Sequence, residues 1–324
     1  MRIVVKIGTS TLAHPGGRLN IRHTEALVKV WSDIKNAGHE LIIVSSGATG
    51  LGVGKLQISR PKDMVTKQAA AAVGQCELMY TYDKLFAEYS HTVAQLLVTW
   101  EDFDHPHRLN NLQNTLERLI QLGAVPVINE NDPISTEEYS LGDNDRLGAL
   151  IAKYTHADLL VLLSDIDGLY TADPHTHPEA TLIHRVESVT PEIEQLGGGS
   201  NSGLGTGGMS AKLTAAKIAT GAGVDMVIAN GANANVLYDI VDGKDVGTRF
   251  VGKNNKIIQE VVCIKGNTPI EVDNRSGDIN SVIIYSKNIL KLNTIDDDGR
   301  DTTLFDMPEA ERKDYYIQFK VLIF

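Results

Sequence analysis

The sequence predicts an α/β fold in which helices cover both faces of a parallel sheet. Three observations predict it: short apolar runs recur along the chain, helix-like segments separate them, and polar turn residues stand where the runs end. Most runs are rich in β-branched residues and do not alternate with polar ones, which is typical of strands buried on both faces. Because ligands bind beyond the carboxyl ends of strands in such sheets, the turns after the runs are the first candidates for a functional site.

Six apolar runs account for the predicted strands. In chain order they are Ile3–Val5, Leu41–Val44, Val93–Val98, Val125–Ile128, Leu159–Leu163 and Val224–Ala229. Helix-like segments lie between them, at about 21–37, 62–89, 107–122, 143–155 and 209–222. Strand and helix therefore alternate, which is the order of elements in an α/β fold.

The composition and the sequence pattern disfavour a membrane-spanning protein, a secreted protein and a nucleic-acid-binding protein. The 324 residues are 42% hydrophobic and 22% charged, as in ordinary globular proteins, and the two cysteines, Cys76 and Cys263, are expected to be free thiols. No run approaches the ~20 apolar residues of a membrane span, and the first residues lack a signal-peptide pattern, so we expect a cytoplasmic protein. The net charge of −11 disfavours a nucleic acid partner but leaves anionic small substrates open.

The pattern changes near Gly247–Phe250. Later apolar runs, such as Val261–Ile264 and Ser281–Tyr285, are β-like, and the acidic run Asp296–Asp298 follows them. The length suggests about two domains, since ~150 residues per domain is usual. We therefore predict a first domain over residues 1–250 and a small β-rich C-terminal segment over residues 251–324.

The strongest local signal is the glycine-rich stretch Gly203–Lys212. Its glycines can turn backbone N–H groups toward an anion, the following helix N-terminus adds positive potential, and Lys212 lies in the first helical turn. The stretch also matches the dinucleotide-binding pattern G-x-G-x-x-G, with Asp225 about 20 residues on. That pattern normally follows a strand directly, whereas a polar loop precedes it here. A flexible surface loop remains the alternative to a phosphate site.

The ends of two predicted strands carry residues that could bind anions. Lys6 interrupts an apolar strand just before Gly8, which indicates either an edge lysine that reaches solvent or a cation aimed at a phosphate. Ser46 and Gly47 follow the second strand, where a hydroxyl and backbone N–H groups could bind a carboxylate or phosphate. An ordinary strand-to-helix turn explains Ser46 and Gly47 equally well.

Acidic and amide residues cluster at two further points, Asn129–Asp132 and Gly142–Asp145. These clusters could hold an α-ammonium group and orient nearby lysines, or they could simply cap helices, because Asn and Asp are favoured at helix N-caps. Ser164 and Asp165 open a polar turn after the fifth predicted strand. That turn could cradle a nucleotide base and ribose, or be an ordinary turn.

Two His-x-His pairs, His105/His107 and His175/His177, have a spacing seen in metal sites. No cysteine or acid accompanies them at metal-ligand spacing, so we interpret them as solvated loops and predict no metal held by protein side chains. The sequence also lacks G-x-S-x-G, H-E-x-x-H and C-x-x-C motifs, which disfavours hydrolase, zincin and redox functions.

Taken together and in this order, the segments resemble the amino acid kinase family. The matching stretches are Val4–Ser10, Val44–Ala48, Lys67–Gln75, Val127–Asp132, Gly142–Asp145, Asp167–Pro174 and Gly203–Lys212. The pairing of the two acid-amide clusters points to the branch that phosphorylates the γ-carboxylate of L-glutamate in the first step of proline biosynthesis. The resemblance implies an open, mainly parallel sheet sandwiched by helices, with ATP and Mg²⁺ as the phosphoryl donor.

The resemblance also implies a role for each matching residue. For glutamate binding it implies Ser46, Gly47, Asp132 and Asn144. For ATP binding it implies Lys6, Gly8, Ser164, Asp165, Thr206, Gly207, Gly208, Met209, Ser210, Ala211 and Lys212. For catalysis it implies that Lys6 and Lys212 neutralise the transferring phosphoryl group and that Asp145 holds the two lysines in place.

Regulation, assembly and rival functions stay open. The resemblance implies feedback inhibition by proline and a homo-oligomer, a dimer or tetramer. Rivals are a kinase of another carboxylate or carbamate, a non-catalytic amino acid sensor and an NAD-binding dehydrogenase; sensing needs no pair of lysines, which disfavours the sensor. Many members of the branch end in a β-rich PUA domain, and residues 251–324 have about the right length for one. Their residues leave that identity open, and their net charge of −2 argues against RNA binding.

Overall fold

The computed structural model describes residues 1–14, 16–135, 144–174, 176–198 and 208–253, together with three later strands. The chain divides into two compact units, Met1–Lys253 and Asn254–Phe324. No helix in the described ranges is both long and apolar enough to cross a membrane.

The first unit contains ten strands and ten helices among its described residues. The strands are β1 (Arg2–Ile7), β2 (Glu40–Ser45), β3 (Val93–Val98), β4 (Val125–Glu130), β5 (Leu159–Ser164), β6 (Leu169–Tyr170), β7 (Leu182–Ile183), β8 (Arg185–Val186), β9 (Asp225–Asn230) and β10 (Thr248–Phe250). The helices are α1 (Thr9–Leu12), α2 (Ile21–Asn36), α3 (Ala48–Leu56), α4 (Met64–Ala87), α5 (Glu101–Asp104), α6 (Pro106–Gln121), α7 (Asn144–Tyr154), α8 (Pro191–Leu196), α9 (Met209–Gly221) and α10 (Val236–Val241).

Eight of these strands form one sheet, in the order β3-β4-β2-β1-β5-β9-β10-β8. Every neighbouring pair is parallel except β9 with β10. The six strands expected from apolar runs are the six that lie side by side from β3 to β9. The prediction of an α/β fold with an open, mainly parallel sheet is therefore confirmed.

Two hydrophobic cores separate the sheet from its helices, one on each face. Alternate side chains of β1 enter opposite cores: Val4 packs with α6, α7 and α9, whereas Ile3 and Val5 pack with α2, α4 and α10. Because side chains alternate along a strand, Lys6 lies on the Val4 face, toward α7 and α9.

Helix α3 was not predicted, because three of its nine residues are glycines and glycine disfavours helices. It forms because it packs backbone to backbone against α4. A Cβ atom at Gly52 would overlap the carbonyl of Ala70, and one at Gly74 would overlap the carbonyl of Ala48. Glycine is thus required at this helix contact, and α3 and α4 are fixed closely together.

The described part of the second unit is a three-stranded antiparallel sheet. Its strands are β11 (Ile258–Cys263), β12 (Thr268–Ile270) and β13 (Ile317–Leu322), in the order β12-β11-β13. The apolar run Val261–Ile264 falls largely on β11, whereas Ser281–Tyr285 lies outside the described residues. Cys76 is an exposed free thiol.

Candidate functional site

The carboxyl ends of four adjacent strands bring most of the predicted site together. Strands β4, β2, β1 and β5 are adjacent and parallel, so Asp132, Ser46, Gly8 and Asp165 follow them at one edge of the sheet. Helix α7 begins at this same edge with Asn144 and Asp145. The topology therefore brings the acid-amide clusters and the predicted anion-binding turns to one edge of the sheet, where ligands usually bind in open α/β sheets.

Lys6 is a buried residue of a central strand. Strand β1 pairs with β2 on one side and β5 on the other, and only 8% of Lys6 is exposed. The edge-lysine alternative is therefore wrong. The Nζ atom of Lys6 lies 2.5 Å from Oδ1 of Asp145. Asp145 is the second residue of α7 and is 1% exposed.

Asp145 joins Lys6 to a second buried lysine. Its Oδ2 atom accepts a hydrogen bond of 2.9 Å from Nζ of Lys212, which lies in the first turn of α9 and is 6% exposed. Burial by itself raises the pKa of Asp145, but the charges and hydrogen bonds of Lys6 and Lys212 outweigh it and hold that pKa below its ordinary value. The three ionised groups carry a net charge of +1.

Such a cluster is more easily explained by function than by stability. Removing three charges from water costs several kcal/mol per ion, and buried ion pairs often add nothing to the free energy of unfolding. Two ammonium groups converging on one carboxylate instead provide positive potential for an anion at the sheet edge.

The start of α9 adds further donors beside Lys212. Its N-cap is Gly208, and no side chain among the described residues caps the helix there. The Ala211 N–H donates to the Gly208 carbonyl at 3.1 Å, so the N–H groups of Met209 and Ser210 are the ones that can face an anion. Met209, Ser210 and Ala211 belong to that turn. Thr206 and Gly207, like the preceding glycines Gly203 and Gly205, lie outside the described residues.

The dinucleotide alternative does not fit the position of its acidic residue. Asp225 is the first residue of β9, so it lies at the amino edge of the sheet, opposite the lysines. Its carboxylate accepts hydrogen bonds from Arg249 at 2.9 Å and from the Gly252 N–H at 2.8 Å. Asp225 therefore holds β10 and the residues after it in place and does not lie where it could bind a ribose.

Ser164 and Asp165 stand where β5 ends, next to the lysine cluster. Ser164 is buried and donates to Oδ1 of the exposed Asp165 at 3.2 Å. The next turn is braced by Asp167, which accepts from Asn230 at 2.8 Å and from the Tyr170 hydroxyl at 3.1 Å. This open, polar edge between β5 and β9 suits the neutral part of a nucleotide.

The other half of the edge is organised by Asn144. Its Nδ2 atom lies 3.0 Å from the Ser45 carbonyl, 2.9 Å from Ser46 Oγ and 2.9 Å from Asn129 Oδ1. The side chain thus ties the ends of β2 and β4 to the start of α7, which the helix-capping alternative does not require. Gly47, at φ +103°, makes the turn from β2 into α3.

Two carboxyl groups make this half of the edge negative. Burial and the nearby charge of Glu130 raise the pKa of Asp132 to about 6. Glu130 is itself buried and accepts a hydrogen bond of 2.8 Å from the Ser135 hydroxyl. A cationic group bound here would relieve the repulsion between the two carboxylates. Gly142 lies outside the described residues.

Two groups of residues fall outside this edge. His105 and His107 are exposed at the start of α6, and His177 is exposed while His175 lies outside the described residues. A cavity of about 400 Å³ lies beside β3, α5 and α6, with Leu96, Asp102 and Arg108 in its lining. None of the predicted site residues lines it.

Gln75 and Gln68 are polar residues of α4 that contact this edge and to which the sequence analysis gave no role. Gln75 accepts a hydrogen bond of 2.9 Å from Asn129, and Gln68, seven residues earlier on α4, donates to the Ser135 carbonyl at 3.0 Å. Seven residues are two helical turns, so both glutamines lie on one face of α4. That spacing, within the stretch Lys67–Gln75, is the signal that could have found them.

Comparison with known proteins identifies the family. The family described as "Amino acid kinase family" matches residues 1–230. The chain belongs to the amino acid kinase family. It is 49% identical over 260 residues to the glutamate 5-kinase of Clostridium perfringens, covering 79% of this chain and 97% of that one. It is 43% identical over 305 residues to the glutamate 5-kinase of Caldanaerobacter subterraneus, covering 93% of this chain and 82% of that one.

Solved structures agree on the fold of this amino acid kinase. The UMP kinase of Bacillus anthracis superposes with a TM-score of 0.56 at 17% identity, over 78% of this chain and 96% of that one. At such low identity the likeness concerns the fold alone. The family expected from the sequence motifs is therefore confirmed by sequence and by structure.

Proposed function

We propose that the protein transfers the γ-phosphoryl group of ATP to the γ-carboxylate of L-glutamate, which yields glutamyl 5-phosphate and ADP in the first step of proline biosynthesis. The observation that carries the proposal is the buried trio Lys6–Asp145–Lys212 beside the acidic Asp132 and Glu130. A positive half and a negative half on one sheet edge match a phosphoryl group and an ammonium group. The identity to relatives named glutamate 5-kinase supports the same reaction.

Charge stabilisation and alignment suffice for this chemistry. An ionised carboxylate is already a nucleophile, so the transfer needs no general base. Lys6 and Lys212 stabilise the charge that shifts among the phosphoryl oxygens in the transition state. Asp145 fixes both ammonium groups through its two oxygens and thereby positions them.

The nucleotide side is proposed to comprise Gly8, Ser164, Asp165 and the turn from Thr206 to Lys212, together with Lys6. Mg²⁺ would come with ATP and would neutralise charge on the phosphate oxygens; such an ion is usually held by substrate phosphates and one or two carboxylates. Within the described ranges no three or more His, Cys, Asp or Glu side chains are grouped to hold a metal ion.

The amino acid side is proposed to comprise Ser46, Gly47, Asp132 and Asn144. Asp132 supplies the negative charge for the α-ammonium group. Ser46 and the backbone of Gly47 supply donors for a carboxylate at the start of α3. Residues 1–250 would thus hold the whole kinase domain, with residues 251–324 as a separate β-rich segment.

The test is ADP release with one acceptor at a time: L-glutamate, L-aspartate, N-acetylglutamate or UMP. We expect turnover with glutamate and an acyl phosphate product that hydroxylamine converts to a hydroxamate. Faster turnover with another acceptor would identify that acceptor, rather than glutamate, as the substrate. Absence of ADP release with all four would favour a non-catalytic amino acid sensor. The same assay with added proline tests feedback inhibition, and light scattering tests for a dimer or tetramer.

A further inference from the structure

A chain of four amide side chains crosses the carboxyl edge of the sheet. Gln75, buried at 7% exposure on α4, donates to Oε1 of the exposed Gln95 at 3.2 Å and accepts from Nδ2 of Asn129 at 2.9 Å. Asn129 in turn accepts from Nδ2 of Asn144 at 2.9 Å. The chain therefore links α4, on one face of the sheet, to α7 on the other.

Backbone groups fix the direction of Asn129 and Asn144, and the amides bonded to Asn129 follow from it. The Glu130 N–H can only donate, and it donates to Asn129 at 2.9 Å, so the atom facing it must be Oδ1. The opposite atom, Nδ2, then faces Gln75, which must present Oε1. The Ser45 carbonyl can only accept, so the Asn144 atom that lies 3.0 Å from it must be Nδ2.

This direction decides what Asn144 offers to a ligand. Its Nδ2 atom serves the Ser45 carbonyl, Ser46 and Asn129, and within the described part of the chain no hydrogen bond uses its Oδ1 atom. Asn144 can thus accept a hydrogen bond but has no further donor to give. A free acceptor favours a group rich in N–H donors, and Asp132 and Glu130, which follow Asn129 along the chain, favour one that is also cationic.

The packing of α4 holds the middle of the chain in place. Gly74, next to Gln75, lies so close to the start of α3 that a Cβ atom there would overlap the Ala48 carbonyl. Helix α3 begins just after Ser46, so this contact fixes Gln75 relative to the end of β2. The hydrogen bonds of Gln75 then need to fix only its own side-chain torsions.

We propose that Gln75 is a positioning residue for recognition of the acceptor: it holds Asn129, and through it Asn144, so that Asn144 Oδ1 accepts from the α-ammonium group of the amino acid. The inference rests on the proposed function, in which that amino acid is glutamate. Gln75 contacts no reacting atom. Without the Oε1 atom of Gln75, the buried Nδ2 group of Asn129 would lose its acceptor, and the Asn129 side chain would turn to find another.

The decisive variants differ in the hydrogen bonds they keep. Gln75→Met removes both bonds and preserves volume, and Gln75→Glu keeps the acceptor that faces Asn129. Gln95→Leu is the matched control, because it removes only the exposed end of the chain. Gln75→Asn, which withdraws the amide by one methylene, replaces Gln75→Met if that variant does not fold.

We expect Gln75→Met to raise the KM for glutamate about tenfold, as an unsatisfied buried donor would, while the KM for ATP changes less than about twofold. Gln75→Glu should restore the KM for glutamate to within about threefold of the wild type, and Gln95→Leu should leave it unchanged. Calorimetric titration with glutamate should give the same order of dissociation constants without any turnover. Melting curves confirm that each variant is folded.

Several results would overturn the inference while the proposed function stands. They are an unchanged KM for glutamate in folded Gln75→Met, an equal rise in Gln95→Leu, a parallel rise in the KM for ATP, or no recovery in Gln75→Glu. If the wild-type protein neither binds nor phosphorylates glutamate, the proposed function fails and this inference fails with it.

Discussion

Replacing Lys212 by alanine tests the central claim about the trio Lys6–Asp145–Lys212. Lys212 and Lys6 each contact one oxygen of Asp145, at 2.9 Å and 2.5 Å. The substitution lowers the charge of the trio from +1 to 0 and removes one ammonium group from the positive half of the edge. Asp145 keeps Lys6 as its counter-ion, so the variant does not strand a buried carboxylate without a cation.

The expected loss falls on kcat rather than on KM. Charge on the transferring phosphoryl group is redistributed most in the transition state, so a contact made there affects turnover more than ground-state binding. Removal of one charged or oxyanion-type donor costs about 3 kcal/mol, which is roughly 10²-fold in kcat. Lys6→Ala should behave in the same way. The free energy of unfolding should change less, since removing a buried lysine also removes its desolvation cost.

Lys217→Ala is the matched control. Lys217 lies on the same helix and forms an exposed ion pair with Glu194, so its removal changes the net charge equally but leaves the trio intact. Steady-state ADP release, measured against glutamate and ATP in turn, gives kcat and both KM values. The assignment is refuted if folded Lys212→Ala turns over within about threefold of the wild type, or if Lys217→Ala is equally slow.

Three further predictions concern the amino acid half and the C-terminal segment. Asn144→Ala should raise the KM for glutamate about tenfold or more and leave the KM for ATP nearly unchanged; a loss of ATP affinity instead would mean that the two halves are assigned the wrong way round. Because the pKa of Asp132 is about 6 and only its ionised form attracts an ammonium group, the KM for glutamate should rise about tenfold between pH 7.5 and pH 5. Asp132→Asn should remove that rise, and persistence of the rise would exclude Asp132 as its source. A chain ending at Lys253 should melt cooperatively and retain glutamate-dependent ADP release, since one relative is aligned over 97% of its own length with only 79% of this chain; a folded but inactive product would contradict this.

The sequence predicted the elements whose signal is local and long enough. The run Val93–Val98 coincides with β3, and the helix expected over 62–89 is α4, Met64–Ala87. The short strands β6, β7, β8 and β10 have two or three residues, too few for any periodic pattern. Their pairing depends on partners distant in the chain, which a local pattern cannot show.

The part of the site that lies at the ends of strands could be predicted from the sequence. Lys6, Ser46, Asp132 and Ser164 end or follow parallel strands, so their convergence follows from the sheet once the strands are recognised. The central position of β1 did not follow, because strand order is set by crossovers between elements far apart in sequence. The chain of amide side chains through Gln75 depends on the approach of α4 to β4. The spacing of Gln68 and Gln75 places both on one face of α4, but it does not show which element that face contacts.

Helix α7 connects the two halves of the edge through consecutive residues. Asn144 faces the ends of β2 and β4, and Asp145 holds the two lysines over β1 and α9. In the proposed function, Asn144 thus positions the ammonium end of the substrate, and Asp145, through the two lysines, positions the phosphoryl end. Because both belong to one rigid turn, the spacing between the two ends is fixed by the backbone. An acceptor shorter by one methylene, such as aspartate, cannot satisfy both ends at once, and a displacement of about 1 Å can cost 10²-fold in rate.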